Sequence, residues 1–276
     1  MPLKVTKKIV VASWVFSLAL GLVIIVFAYI KFFPAYMFHT LFSLALVVIC
    51  IPPAIVYTLD MKRKREIDEA LPRLLDDIAE SQEAGMTLLQ ALEEVSHRRY
   101  GPLTEELRKM VVQMSWGIPF ERAVQSFINR VGTDLTAKAM VLIVEAIRLG
   151  GDTRKVFRST SNFVKKMLEL RKERESQLRP FFMTTYVTVV IFAVIMLILY
   201  YSFFLPAAKP TGETHFLKIP LSIEGYKTLI FDLSIIEAFF GGLLAGKMSE
   251  GTVTAGLKHS VIVLLVMFAI FSSLFR

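Results

Sequence analysis

The chain has 276 residues, 54% of them apolar, with a mean hydropathy of +0.56 and a formal charge of +8. That is more apolar surface than a soluble domain of this size needs, which excludes a simple soluble globule. The single cysteine, Cys50, excludes an internal disulfide framework and any two-cysteine metal or redox motif.

The apolar residues collect in runs long enough to cross about 30 Å of hydrocarbon. In chain order they cover 9–30, 36–58, 181–205, 229–246 and 257–275. The first run is read as a span and not as a cleaved signal. Its apolar part is too long, and Pro34 with aromatics stands where a small-residue cleavage site belongs. Cys50 falls inside the second run and reads as packing. The fourth run is the weakest, because it contains Asp232 and Glu237.

Basic residues flank these runs unevenly. Lys4, Lys7 and Lys8 precede the first, and Lys62, Arg63, Lys64 and Arg65 follow the second. Arg171, Lys172, Arg174 and Arg179 precede the third, and Lys247 and Lys258 bracket the last turn. If every run spans once, all of these fall on one face. The other face keeps Lys31, the mixed segment 206–228 and Arg276. Positive residues in short loops mark the cytoplasmic side. The expected arrangement is therefore a multi-pass protein of the cell membrane, with the N-terminus, residues 60–180 and the 247–257 turn in the cytoplasm. The basic cluster at Lys62–Arg65 would lie beside anionic membrane lipids.

Between the second and third runs the pattern is helical throughout. Apolar residues recur at 3.6-residue spacing in six stretches, 67–78, 88–95, 103–114, 120–128, 135–147 and 156–167. Their breaks have chemical causes. Pro72 suits a first helical turn. Gly85 and Gly117 can take the left-handed conformation that closes a helix. Thr87 with Gln90 reads as a capping box. In the second copy Pro119 takes the first helical turn instead, Thr104 is placed to cap the helix after Gly101–Pro102, and Gly150 to Thr153 do so before the sixth. The fold class is thus all-α: about five transmembrane helices and a cytoplasmic six-helix bundle, divided as 1–59, 60–180 and 181–276. The first soluble segment is placed to continue from the second span, and the sixth to continue into the third.

Two stretches repeat, "GMTLLQALEEV" from Gly85 and "GIPFERAVQSF" from Gly117, with Ala91 and Ala123 in the same place; a looser third copy starts at Gly151. The starts lie 32 and 34 residues apart, a period also found in tetratricopeptide-type solenoids. The Trp and Tyr positions of that repeat are missing, so a compact bundle of helix hairpins is the better reading.

No catalytic loop or metal motif is present: no GxxxxGK[ST], HExxH, GxSxG or CxxC. No cofactor is expected, and the chain does not read as an enzyme. His39, His97, His215 and His259 are scattered and read as structural or solvated. Asp232 and Glu237 are candidate intramembrane polar residues, since ionisable groups within a span are functional by default. The other reading is a misplaced span, with Asp232 at the outer interface and Glu237 facing protein. Gly242 and Gly246 form a G-x-x-x-G pair that lets helices approach closely. Arg98, Arg99, Arg108 and Lys109 on the bundle are candidates for docking an acidic partner. The bundle's charge is mixed, 19 acids against 22 bases over 60–180, with no interleaved aromatics, which argues against nucleic acid.

"LPRLLDDIAESQEAGMTLLQALEEV" (Leu71–Val95), "WGIPFERAVQSF" (Trp116–Phe127) and "AIRLGGDTRKVFRST" (Ala146–Thr160) resemble the type II secretion system F domain, the platform family of type IV pili, type II secretion, Tad pili and archaella. "GGLLAGKMSEGTVTAGLKHSVIVLL" (Gly241–Leu265) is similar to the C-terminal part of archaeal members. The resemblance implies a membrane platform beneath a growing filament. A cytoplasmic hexameric ATPase would engage its soluble domain, and pilin-like subunits would pass from the membrane into the filament. Most members carry two copies of the domain, and this chain shows one. The resemblance therefore implies a second F-domain subunit, either itself or a paralogue. A small membrane transporter or channel with a helical cytoplasmic domain is the alternative. The lack of inverted repeats and of a discontinuous helix pair speaks against it.

Overall fold

The computed structural model describes residues 7–33, 36–207 and 223–274. Lys4, Pro34, His215, Arg276 and residues 208–222 of the mixed segment lie outside the described residues. Every regular element described is helical: α1 (Lys7–Phe32), α2 (Tyr36–Glu83), α3 (Leu88–Ser96), α4 (Leu103–Ser115), α5 (Phe120–Val131), α6 (Asp134–Arg148) and α7 (Thr153–Leu199). A π-helical turn at Tyr200–Phe204, the short α8 (Leu205–Ala207), α9 (Ile223–Glu250), a 3₁₀ turn at Val253–Ala255 and α10 (Gly256–Leu274) complete it. Five of these helices are long and apolar enough to cross a membrane.

The chain divides into two compact units. Leu59–Arg174 form one, a helical bundle, and the described residues among 7–58 and 175–274 form the other. Helices α2, of 48 residues, and α7, of 47, each pass from one unit into the other without a break. At 1.5 Å per residue each is about 70 Å long.

One apolar core holds the bundle. Ile67, Leu71, Leu74, Leu75 and Ile78 of α2 are fully buried, and so are Ala91 and Leu92 of α3, Leu103 and Leu107 of α4, and Val124 and Phe127 of α5. Ile143 of α6 and Phe157 and Val164 of α7 close it. Each large side chain contributes roughly 1.5–3 kcal/mol on burial.

The repeat is a three-times-used stop and restart. At each stop the glycine N–H bonds the carbonyl three residues back: Gly85 to Gln82, Gly117 to Met114 and Gly150 to Ile147, at 2.9–3.0 Å. The following N–H reaches the carbonyl five back: Met86 to Ser81, Ile118 to Gln113 and Gly151 to Ala146. Those paired bonds define a Schellman closure, which needs a left-handed residue. The three glycines have φ of 93°, 84° and 83°. In each copy the next helix starts two residues later, from Thr87, Pro119 and Asp152. Thr87 and Gln90 exchange backbone and side-chain bonds as a full capping box. The third copy therefore begins at Gly150 and not at Gly151, whose φ is not positive.

Three local expectations are corrected. Pro72 does not start a helix but sits inside α2. It deprives the Asp68 carbonyl of its usual donor, a cost of about 3 kcal/mol in an isolated helix, set against the burial of Leu71, Leu74 and Leu75 around it. Thr104 lies inside the first turn of α4, and its hydroxyl accepts from the Tyr100 N–H at 2.7 Å; the N-cap is Pro102. Pro119 is the N-cap of α5 and stands just before its first turn.

Within the bundle the acidic side of α2 faces the basic side of α7. Arg171 pairs with Asp68 at 2.9 Å, Lys165 with Asp76 at 2.7 Å, and Arg158 with Glu83 at 3.2 Å. The Ser161 hydroxyl donates to the Pro72 carbonyl at 3.0 Å.

In the other unit, α1 buries a narrow stripe of small residues, Ser17, Gly21 and Ala28. A Cβ on Gly21 would come within 2.2 Å of the Ile49 side chain on α2. The rest of α1 exposes Val15, Phe16, Leu22, Val23 and Ile30, the outward apolar surface that suits lipid. Helices α9 and α10 form a close hairpin around buried Phe231, Leu264, Met267 and Phe271.

Candidate functional site

Three groups of side chains stand out, two in the apolar unit and one in the bundle. In the apolar unit, His39 near the start of α2 meets Asp232 of α9, with Nδ1 at 2.9 Å from Oδ2. The ring edge of Tyr36, one turn earlier, lies against Phe231 with centroids 5.6 Å apart. Helical spacing in the sequence could not find this pair, because its members are 193 residues apart. His39 is thus a hydrogen-bond partner of Asp232 and not a solvated residue.

Glu237 is five residues beyond Asp232 on the same helix, about 140° round its axis. The two carboxylates do not share a face. The Glu237 Oε2 atom is buried without a hydrogen-bond partner among the described residues.

At the other end of α9 a second polar group closes the hairpin. The Tyr186 hydroxyl and His259 Nδ1 are 2.5 Å apart, and Tyr57 meets Thr252 at 2.6 Å. Lys258 pairs with Glu250. Gly242 and Gly246 line the hairpin seam. A Cβ on Gly242 would lie 2.2 Å from the Ser260 Cα, and one on Gly246 would lie 2.1 Å from the Gly256 Cα. Backbone atoms cannot yield as a flexible side chain can, so these two positions admit no side chain without parting the helices.

On the bundle, Gly85, Gly117 and the third-copy Gly151 stand at helix stops, while Ala91 and Ala123 are fully buried six residues after the first two glycines. Arg98 and Arg99 occupy the turn between α3 and α4, and Arg108 and Lys109 lie on α4. All four are exposed. Arg98 pairs with Asp77 at 3.3 Å, Arg108 Nε donates to the Ser96 carbonyl at 3.1 Å, and Lys109 reaches Glu106 at 3.4 Å. Arg99 makes no ion pair among the described residues. The surface therefore offers one uncommitted cation and three already tied to the bundle.

Glu106, missed in the sequence, is the carboxylate that Lys109 and Arg130 share. It is buried, and Arg130 of α5 donates to its Oε2 at 2.8 Å and to its backbone carbonyl at 3.3 Å. The Tyr100 hydroxyl donates to Asp77, and burial, then that hydrogen bond, push its ionisation well above the ordinary phenol value. Among the described residues no three His, Cys, Asp or Glu side chains converge as a metal site.

Residues 74–200 match the family model described as type II secretion system (T2SS), protein F. The chain is also 29% identical over 209 residues to MJ1286 of Methanocaldococcus jannaschii, a protein named as uncharacterised. That alignment covers 72% of this chain and 32% of the relative, so the chain matches about a third of the relative's length. No solved structure matches the chain.

Proposed function

We propose, from the premise that this chain carries a type II secretion system protein F domain over residues 74–200, a domain of membrane platform proteins, that it is the cytoplasmic-membrane platform of a type IV-like filament or type II secretion machine. Residues 60–180 face the cytoplasm and receive a hexameric assembly ATPase. ATP-driven motion passes through the bundle, and pilin-like subunits are moved from the membrane into the filament. The chain itself makes and breaks no covalent bond.

The observation that carries this reading is the pair of unbroken helices, α2 and α7. Each has an apolar stretch long enough to span a bilayer and a charged stretch that packs in the bundle core. Each helix supplies residues to both units as one continuous element, α7 with Pro180 inside it. Arg99, with Arg98 beside it, is the docking point we assign to an acidic surface of the ATPase. The buried, unpartnered Glu237 oxygen is the point we assign to the N-terminal amine of an incoming pilin helix.

The test is purification of the tagged full chain from its own cells in mild detergent. A secretion-type ATPase and pilin-like subunits are expected to come with it, and filaments are expected to vanish when the gene is deleted. Filaments that persist, with neither partner recovered, would overturn the reading. Orientation is read separately: a cysteine placed by Arg99→Cys in a Cys50→Ser background should react with an impermeant maleimide only after the cells are opened. Labelling on intact cells sinks the cytoplasmic placement. The Glu237 assignment falls if a Glu237→Gln strain makes filaments normally.

A further inference from the structure

Helix α6 buries Leu135, Ala139, Met140 and Ile143 in the bundle and turns its opposite face outward. That outward face is not the polar surface such a helix usually presents. Val141 and Leu142 are each 49% exposed, and Leu149, just past the helix end, is 86% exposed, the most of any large apolar side chain described. Four charges frame this strip: Asp134, Lys138, Glu145 and Arg148, all exposed. None of the four makes an ion pair among the described residues, in contrast with the acidic and basic residues of α2 and α7, which pair with each other.

The order of these residues has a symmetry. Taken from the midpoint between Val141 and Leu142, Lys138 lies as far before it as Glu145 lies after it, about 5 Å along the axis. Asp134 lies before the midpoint at nearly the distance at which Arg148 lies after it. Reversing the helix about that midpoint therefore exchanges apolar for apolar and acid for base.

We propose that the outward face of α6 docks a second copy of this chain as an antiparallel α6–α6 pair centred between Val141 and Leu142. In that pairing Val141 packs on Leu142 of the partner subunit, and the reverse contact repeats it across the two-fold axis. Lys138 stands opposite Glu145 of the partner subunit, and Asp134 stands beside Arg148 of the partner subunit. A parallel pairing would instead set Lys138 on Lys138 and Glu145 on Glu145, which like-charge repulsion disfavours. The interface rests on α6 alone and is independent of whether the chain serves as a platform.

The experiment is charge reversal in the full chain, with mass measured against concentration in mild detergent. The unsubstituted chain is expected to form a dimer. Lys138→Glu and Glu145→Lys, made singly, each oppose like charges twice across the axis and should weaken it about tenfold or more. The two together restore opposite signs and should return the dimer constant to within about threefold of the unsubstituted chain. The two positions are seven residues apart, too far to rescue one another within one helix. A monomer at all concentrations overturns the proposal. So do singles that leave the dimer unchanged, or a double variant no stronger than the singles. In native membranes, Leu142→Cys in a Cys50→Ser background should crosslink between copies through a short bismaleimide. Dimers that give no such crosslink place the interface elsewhere and overturn the proposal as well.

Discussion

Arg130 of α5 donates from Nε to the Glu106 carboxylate of α4 at 2.8 Å, and the Glu106 side chain is only 6% exposed. The pair ties two short helices together. Removing the guanidinium leaves a buried carboxylate beside Lys109, which is 3.4 Å away and largely exposed. Arg130→Ala should therefore destabilise the bundle by about 3 kcal/mol. Replacing both partners, Glu106→Leu with Arg130→Met, should cost less than Arg130→Ala alone. Thermal melting of the three proteins in one detergent checks the order. A double variant that melts below the single one refutes it.

The glycines divide into two kinds by what surrounds them. Gly85 has a φ of 93° with open space where a Cβ would stand, whereas Gly246 has ordinary backbone angles and the Gly256 Cα in that space. Gly85→Ala should cost about 1–2 kcal/mol of backbone strain, and Gly85→Asn should cost less, since asparagine tolerates that conformation. Gly246→Ala must push α9 from α10 and should lower the melting temperature further than Gly85→Ala does. Equal effects at the two positions would remove the distinction between strain and close approach.

Burial raises the Asp76 carboxyl, but the hydrogen bond from Lys165 and the charges of Lys165 and Arg158 outweigh it and hold the group below its ordinary value of 3.8. A carboxyl depressed on folding adds stability that is complete above its unfolded value and is lost as pH falls through the folded one. The parent should therefore melt above Asp76→Asn at neutral pH. The gap should shrink as pH falls from about 5 to about 3. A gap that widens on acidification contradicts the Lys165 and Arg158 assignment.

Arg98→Glu with Arg99→Glu should reduce recovery of the assembly ATPase with the tagged chain. Arg98 also holds Asp77, whose side chain is only 14% exposed and keeps the Tyr100 hydroxyl as a donor. Arg98→Gln alone serves as the control for that lost pair. Undiminished ATPase recovery in the doubly reversed chain ends the docking assignment.

Signals that act within a few residues were legible. Gly85 and Gly117 marked stops because only a residue free at positive φ closes a helix in that way, and Thr87 with Gln90 marked the restart that follows. The third copy was read one residue late, at Gly151, because two glycines adjoin and the start residue is Asp152 in place of threonine or proline. Pro72 was misread for the opposite reason. Its local cost argued for a helix end, and the burial of its neighbours in the bundle outweighed that cost.

The sequence by itself determined that the chain is helical, that five stretches are long and apolar enough to cross a bilayer, and that helices stop at Gly85 and Gly117 and restart after Thr87. Periodicity, capping and run length depend on neighbours a few residues away, so they are written in local order. Only the tertiary structure decided that His39 meets Asp232, that Arg130 serves Glu106, and that Asp134, Lys138, Glu145 and Arg148 make no ion pair among the described residues. Those outcomes depend on which helix faces come together, and packing between distant segments sets them, not adjacency along the chain.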